Sequence, residues 1–332
     1  MVRRRAAGKG FYVLLALTLV SPALAAEETL PKMGSAAPAF DATLRLPTDR
    51  PHGLAKGPMK KTPLYAATAA GLFVSADGGG QWQHLLLPKA TGDEVFAVAV
   101  HPLNESVVYI GGRTGLWKSQ DGGATWSPLP GVLPGGAIPR SLAIAAGAPE
   151  VSYVGTDLNG IFRSDDGGTT WISRSEGLPE ALAGGRPAPI RSLAVDPTNP
   201  SVAYAGAELH GFYKSTDGGA SWGAINRGLG LFPLQRRVGG PGLLINHADP
   251  RQMIATLIRP IHSRLVKTSI YQSSDGGEHW FPLEVDLPPG AEGVALAEDP
   301  SDPQGVVLFT IKGAIRIQWR PIAGVAESAA QP

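Results

Sequence analysis

Short runs of alternating apolar and small residues, bounded by Gly, Pro, Asn and Asp, recur through most of this chain. Phe96-Ala97-Val98-Ala99-Val100 and Ser192-Leu193-Ala194-Val195 have the two-residue period of an inner strand. A proline turn follows each, His101-Pro102-Leu103-Asn104 or Asp196-Pro197-Thr198-Asn199-Pro200. A second strand comes next, as in Val107–Gly111, Val151–Gly155 and Val202–Gly206. After a short loop comes a third: Gly115-Leu116-Trp117-Lys118, Gly160-Ile161-Phe162-Arg163 and Gly211-Phe212-Tyr213-Lys214. The same order of elements, repeated, predicts one kind of β unit used several times.

A signature closes each unit. Ser-x-Asp-Gly-Gly-x-x-Trp occurs five times, at Ser75–Trp82, Ser119–Trp126, Ser164–Trp171, Ser215–Trp222 and Ser273–Trp280. Its tryptophans lie 44, 45, 51 and 58 residues apart, the period of a propeller blade of four short strands. Asp77, Asp121, Asp166, Asp217 and Asp275 supply carboxylates that accept backbone N–H groups at a turn. The glycine after each tolerates positive φ. Trp82, Trp126, Trp171, Trp222 and Trp280 each open a fourth strand and bring an apolar face and an N–H that needs a partner. Five equivalent carboxylates around a ring cannot share one catalytic centre. One carboxylate per turn is also poor provision for calcium, which takes six to eight oxygens. The signature is a structural clip.

The expected fold is therefore all-β, a single propeller of four-stranded blades, with six blades expected and seven the alternative. The first unit is incomplete at its start, with Pro63–Thr68 as its second strand. The last, over Gly293–Trp319, lacks the signature. Deficits at both ends suit a ring closed by a shared blade, and the alternating segment Pro38–Leu46 can supply the missing strand.

Tyr-x-Gly, a short loop, then Gly-apolar-aromatic-basic-Ser-x-Asp-Gly-Gly-x-x-Trp resembles the Asp-box, or BNR, repeat. The resemblance covers nearly the whole chain beyond its first residues. It looks most like the photosystem II stability and assembly factor family, beside bacterial sortilin-type and glycosidase-type propellers. Gln81 and His279 stand where the box usually has Thr. The resemblance implies that the boxes lie on the face away from any ligand, so function is to be sought where the units differ.

Composition narrows the setting. Arg3, Arg4, Arg5 and Lys9, an apolar run over Phe11–Val20 and Ala23-Leu24-Ala25 form a processing signal over residues 1–25. A flexible segment over 26–37, the propeller over 38–323 and a flexible tail over 324–332 complete the expected organisation. Cleavage near Ala25 would deliver the protein to the periplasm or the exterior. The absence of cysteine excludes disulfides and thiolate sites. The net charge of +1, less four positive charges in the signal, leaves about −3, which offers nothing to nucleic acid.

No catalytic motif is present. Neither H-E-x-x-H, a nucleophile elbow nor a P-loop occurs, and no metal or cofactor is expected. A sialidase would carry an arginine triad and a Phe/Tyr-Arg-Ile-Pro segment, and the segment is absent. A glycosidase needs two convergent carboxylates; Asp157, Glu176, Glu180 and Glu208 are the candidates on ligand-side loops.

In a propeller the loops between second and third strands share a face with the linkers between blades. Arg113, Arg259, His262 and Arg264 align with those loops, and Arg236 and Arg237 with a linker. Arg140 and Arg191 begin two inner strands in the same Arg-Ser-Leu-Ala context, where aligned units carry Phe96, Leu244 and Val294. An arginine cluster suits a carboxylate, a phosphate or an acidic protein segment. The long, partly apolar loop over 257–268 favours protein contact. The expectation is an exported, monomeric, non-enzymatic scaffold for a protein partner, a membrane-protein complex among the candidates. A glycan-active or glycan-binding propeller is the alternative.

Overall fold

The chain divides into two units, Met1–Gly34 and Ser35–Pro332. The computed structural model describes residues 40–44, 46–48, 51–57, 63–181, 185–230, 239–262, 265–285, 287, 293–299, 302, 304–310 and 312–319, all within the second unit. The expected signal over 1–25, the segment over 26–37 and the tail over 324–332 lie outside these residues.

Six antiparallel sheets of four strands each account for the strands found. From inner to outer edge, blade 1 runs Pro51–Lys56, Leu64–Thr68, Gly71–Ser75 and Gln83–Leu85. Blade 2 runs Val95–His101, Asn104–Gly112, Gly115–Ser119 and Ser127–Pro128. Blade 3 runs Pro139–Ile144, Ser152–Thr156, Ile161–Ser164 and Ile172–Ser173. Blade 4 runs Ile190–Val195, Ala203–Ala207, Gly211–Ser215 and Gly223–Ala224. Blade 5 runs Gly239–Ile245, Met253–His262, Leu265–Ser273 and Phe281–Leu283. Blade 6 runs Gly293–Glu298, Gly305–Thr310 and Ala314–Gln318. Each inner strand touches the inner strands of the blades before and after it, and blade 6 touches blade 1. The sheets form a ring.

The N-terminal strand Phe40–Asp41 completes blade 6 as its outermost strand, pairing with Ala314 and Ile315. The closing strand is thus shorter than the expected Pro38–Leu46, and Leu44 and Leu46 instead bury their side chains against blade 6. Blade 1 is complete: Pro51–Lys56 is its inner strand, so the deficit expected at its start does not exist. Its Pro-His-Gly-Leu-Ala-Lys sequence lacks the apolar alternation that marks the other inner strands.

Every box makes the same clip. In the blade 2 copy, Ser119 Oγ donates to Asp121 Oδ1 at 2.7 Å and accepts from Gly123 N at 2.8 Å. Asp121 Oδ1 also accepts from Thr125 N at 2.8 Å, and Oδ2 from Thr125 Oγ1 at 2.5 Å. Ser221 and His279 fill the Thr125 role against Asp217 and Asp275, His279 through Nδ1 at 2.7 Å. These bonds occupy the carboxylate oxygens with the protein's own donors. Each tryptophan sits just before its two- or three-residue outer strand rather than inside it. Trp222 Nε1 donates to Arg174 O at 2.9 Å and Trp280 Nε1 to Ile225 O at 2.7 Å, both on the segment leaving the preceding blade. The repeat tyrosines tie the ring in the other direction: Tyr65 Oη donates to Gly122 O and Tyr153 Oη to Pro200 O, each on the next blade.

Side-chain donation from Thr125, Thr170 and Ser221, with backbone N–H groups behind it, lowers the Asp121, Asp166 and Asp217 carboxyls from 3.8 to about 2. A carboxyl whose folded value is depressed stabilises the fold above its unfolded value, and that contribution disappears as pH falls through the folded value. Changing the three residues together to Asn is therefore expected to lower the melting temperature at pH 5. The gap to the parent protein should close between about pH 4 and pH 2, as thermal melts across that range would show.

Candidate functional site

A β-bulge falls at the same place in every blade. The ladder between first and second strands slips between Pro51 and Gly53, Val95 and Ala97, Pro139 and Ser141, Ile190 and Ser192, and Gly293 and Ala295. The residues left unpaired are His52, Phe96, Arg140, Arg191 and Val294. A bulge interrupts the ladder and turns its extra side chain out of the strand's regular alternation. His52, Phe96, Arg140 and Arg191 line a central cavity of about 410 Å³, bounded by the inner strands of all six blades. In blade 5 the slip spans two residues, Gly240 and Pro241. Pro241, not Leu244, therefore holds the arginine position; Leu244 pairs with Ile254 further along the strand.

Around the mouth of this cavity the charges form an arc over blades 1 to 4. Arg113 Nη2 donates to Glu94 Oε2 at 2.9 Å, and Arg140 Nη2 to Asp157 Oδ2 at 2.9 Å. Arg191 donates to Glu208 Oε2 from Nε at 2.9 Å and Nη2 at 2.6 Å, and its Nη1 lies 3.7 Å from Asp157 Oδ1. The Arg140 guanidinium lies 3.9 Å from the centroid of the Phe96 ring, and Arg113 lies 5.5 Å from it. Contact at that distance is a cation–π interaction. His52 Nδ1 is 2.7 Å from Val95 O. A carbonyl only accepts, so Nδ1 carries the proton, and Nε2 faces Glu94 at 3.7 Å.

Of the arginines expected here, the structure brings Arg113, Arg140 and Arg191 together, each with a carboxylate partner. Arg236, Arg237 and Arg264 lie outside the described residues. Arg259 and His262 are described in backbone only. They do not sit in a loop: Met253–His262 continues as a strand paired with Leu265–Ser273, with Arg259 opposite Lys267 and His262 opposite Leu265. The segment expected as a long loop over 257–268 is, in its described residues, a continuation of the two paired strands, with a register shift between Pro260 and His262. Of the four candidate carboxylates, Asp157 and Glu208 flank Arg191. Glu176 and Glu180 belong to the linker leaving blade 3 and join no ion pair among the described residues.

His52 and Glu94 escape sequence reasoning. The signal for His52 is local: Pro51-His52-Gly53-Leu54, Pro139-Arg140-Ser141-Leu142 and Ile190-Arg191-Ser192-Leu193 share a small residue followed by leucine after the bulge.

The second-to-third-strand loops and the linkers share this face. Thr114 Oγ1 donates to Thr91 O at 3.3 Å, joining such a loop to a linker. Three exposed apolar side chains occupy these segments: Leu86 at 85%, Val132 at 83% and Leu158 at 37% exposure. Among the described residues no group of three or more His, Asp or Glu could hold a metal ion.

No protein-family profile matches the chain, and no curated protein matches it in sequence. Solved structures do match. An ancestral GH74 enzyme aligns with 86% of this chain at 20% identity and a TM-score of 0.60, over 38% of its own length. The GH74 enzyme of Niastella koreensis aligns with 83% at 19% identity and a TM-score of 0.57, over 46% of its length. This chain thus spans less than half of those two enzymes. YCF48 from Cyanidioschyzon merolae aligns with 86% of it at 16% identity and a TM-score of 0.51, over 99% of its own length. The chain is a β-propeller of the kind these proteins carry. At such identities the likeness is one of fold, shared by enzymes and by YCF48 alike.

Proposed function

We propose that this protein is an exported binding propeller, without chemistry of its own, that holds a protein partner on the face carrying Arg113, Arg140 and Arg191. The observation behind this reading is the company those arginines keep. Exposed Leu86, Val132 and Leu158 stand on the loops and linkers of the same face. Arginine beside exposed apolar side chains is the composition of a protein interface. Asp157 and Glu208, the residues a hydrolase reading would use, have oxygens taken by Arg140 and Arg191. A general acid must present its proton to the glycosidic oxygen instead.

The partner should therefore be a protein whose docked surface offers carboxylates to guanidiniums and apolar groups to the loops. Capture from native envelope membranes compares the parent protein with the Arg140→Glu, Arg191→Glu double variant. The variant is expected to bind the recovered, purified partner at least about tenfold more weakly, with its thermal melt checked alongside. Equal binding by both proteins would reject the face. Release of reducing sugar from xyloglucan or an aryl glycoside would instead support the hydrolase reading.

A further inference from the structure

We infer that the central cavity is a separate binding site for a small monocarboxylate with an apolar body. Each blade contributes at least one apolar side chain to its wall, among them Leu54, Val98, Leu142, Leu193, Leu243 and Leu296. A volume of about 410 Å³ is in the range of small-molecule sites. Apolar side chains come from all six blades, whereas the polar ones, His52, Arg140, Ser141, Arg191, Ser192 and Glu208, come from blades 1, 3 and 4 alone. A ligand matched to this cavity is polar at one end only.

The donors for that end are unspent. Arg140 commits Nη2 to Asp157, and among the described residues its Nη1 has no hydrogen bond. Arg191 commits Nε and Nη2 to Glu208, and its Nη1 reaches Asp157 only at ion-pair distance. Both guanidiniums approach the one Asp157 carboxylate, so their free N–H groups lie close enough to serve the two oxygens of a second one. Arg140 Nε is buried without a hydrogen-bond partner among the described residues. So, among the described residues, is Ser192 Oγ on the cavity wall, whereas the equivalent Ser141 Oγ donates to Ile190 O at 3.0 Å.

Charge counting selects the headgroup. Arg113, Arg140 and Arg191 are matched by Glu94, Asp157 and Glu208, so these three guanidiniums, among the described residues, bring no surplus positive charge to hold a dianion. Hydrogen bonds from guanidinium groups that are already neutralised suit a single negative charge better than a phosphate. The site shares Arg140 and Arg191 with the protein-partner reading but does not rest on it, because the cavity can hold its ligand with no protein at the mouth.

Calorimetric titration of the full chain with 4-phenylbutyrate tests this. Saturable one-site binding is expected, with 4-phenylbutan-1-ol, acetate and phenyl phosphate each at least about tenfold weaker (a difference of about 1.4 kcal/mol). Arg140→Gln should weaken the carboxylate and leave the alcohol unchanged. Gly53→Leu should abolish binding: Gly53 lines the cavity, and a Cβ there meets nothing within 4 Å. That variant should fold with an unchanged melting temperature. The proposal fails if 4-phenylbutyrate shows no saturable binding or if the alcohol binds equally well. It also fails if phenyl phosphate binds more tightly, or if Gly53→Leu binds as the parent does. Capture of a protein partner is read separately, and Gly53→Leu, which leaves both arginines in place, is expected to capture it as the parent does.

Discussion

Removing the residues through Leu46 is expected to destabilise the propeller by about 4 kcal/mol, the hydrophobic worth of burying two leucines. Leu44 and Leu46 are 9% and 5% exposed in the core that joins blade 6 to blade 1. Leu46 N also donates to Thr310 O at 3.3 Å. The same cut strips the outer strand from blade 6 and deprives Arg316 of its 3.2 Å contact with Asp41. Ala314–Gln318 then becomes an open edge, so the shortened protein should also self-associate. Urea unfolding and gel filtration read the two effects separately. An unchanged midpoint would mean that the ring is held shut without its N-terminal strand.

Gly228→Ala is expected to cost about 3 kcal/mol, combining a left-handed backbone with overpacking. Gly228 has φ +86°, and a Cβ there would stand 2.0 Å from Trp280 O. The obstacle is backbone, and it is pinned: Trp280 N donates to Arg227 O at 2.9 Å, and Trp280 Nε1 is bound to Ile225 O. The blade 5 box cannot recede without losing its hold on blade 4. Gly167 is the control, with φ +69° and open space around a Cβ; Gly167→Ala should cost only the strain, about 1 kcal/mol. If the two variants melted together, the close approach of the blades would not be what requires glycine at 228.

The parts of this protein that repeat were legible because their chemistry is local. Ser119, Asp121 and Thr125 lie within seven residues of one another and satisfy each other's hydrogen bonds in the hairpin they form. Reading that pattern five times yields the blades, and the unmatched alternation near Phe40 yields the closure. The site was legible only where it kept the repeat's register. Arg140 and Arg191 share a four-residue context and were found together. Leu244 was misaligned because the Gly240-Pro241-Gly242 stretch, where the blade 5 ladder slips, carries no arginine or serine of the Arg-Ser-Leu-Ala context to count from. His52 was missed because its strand has too few apolar residues to announce itself.

Sequence alone determined the fold and its ring closure, since each follows from turn chemistry and strand order within a blade, and it put Arg140 and Arg191 at equivalent positions of two inner strands. Tertiary structure alone decided what those arginines meet. Arg140 lies over Phe96 of the preceding blade, and Arg191 lies between Asp157 of the preceding blade and Glu208 of its own. Contacts of that kind depend on the angle and spacing between sheets that are far apart in the chain. No repeat period encodes them, and they give Arg113, Arg140 and Arg191 of the expected cationic cluster a carboxylate partner each at the mouth of the cavity.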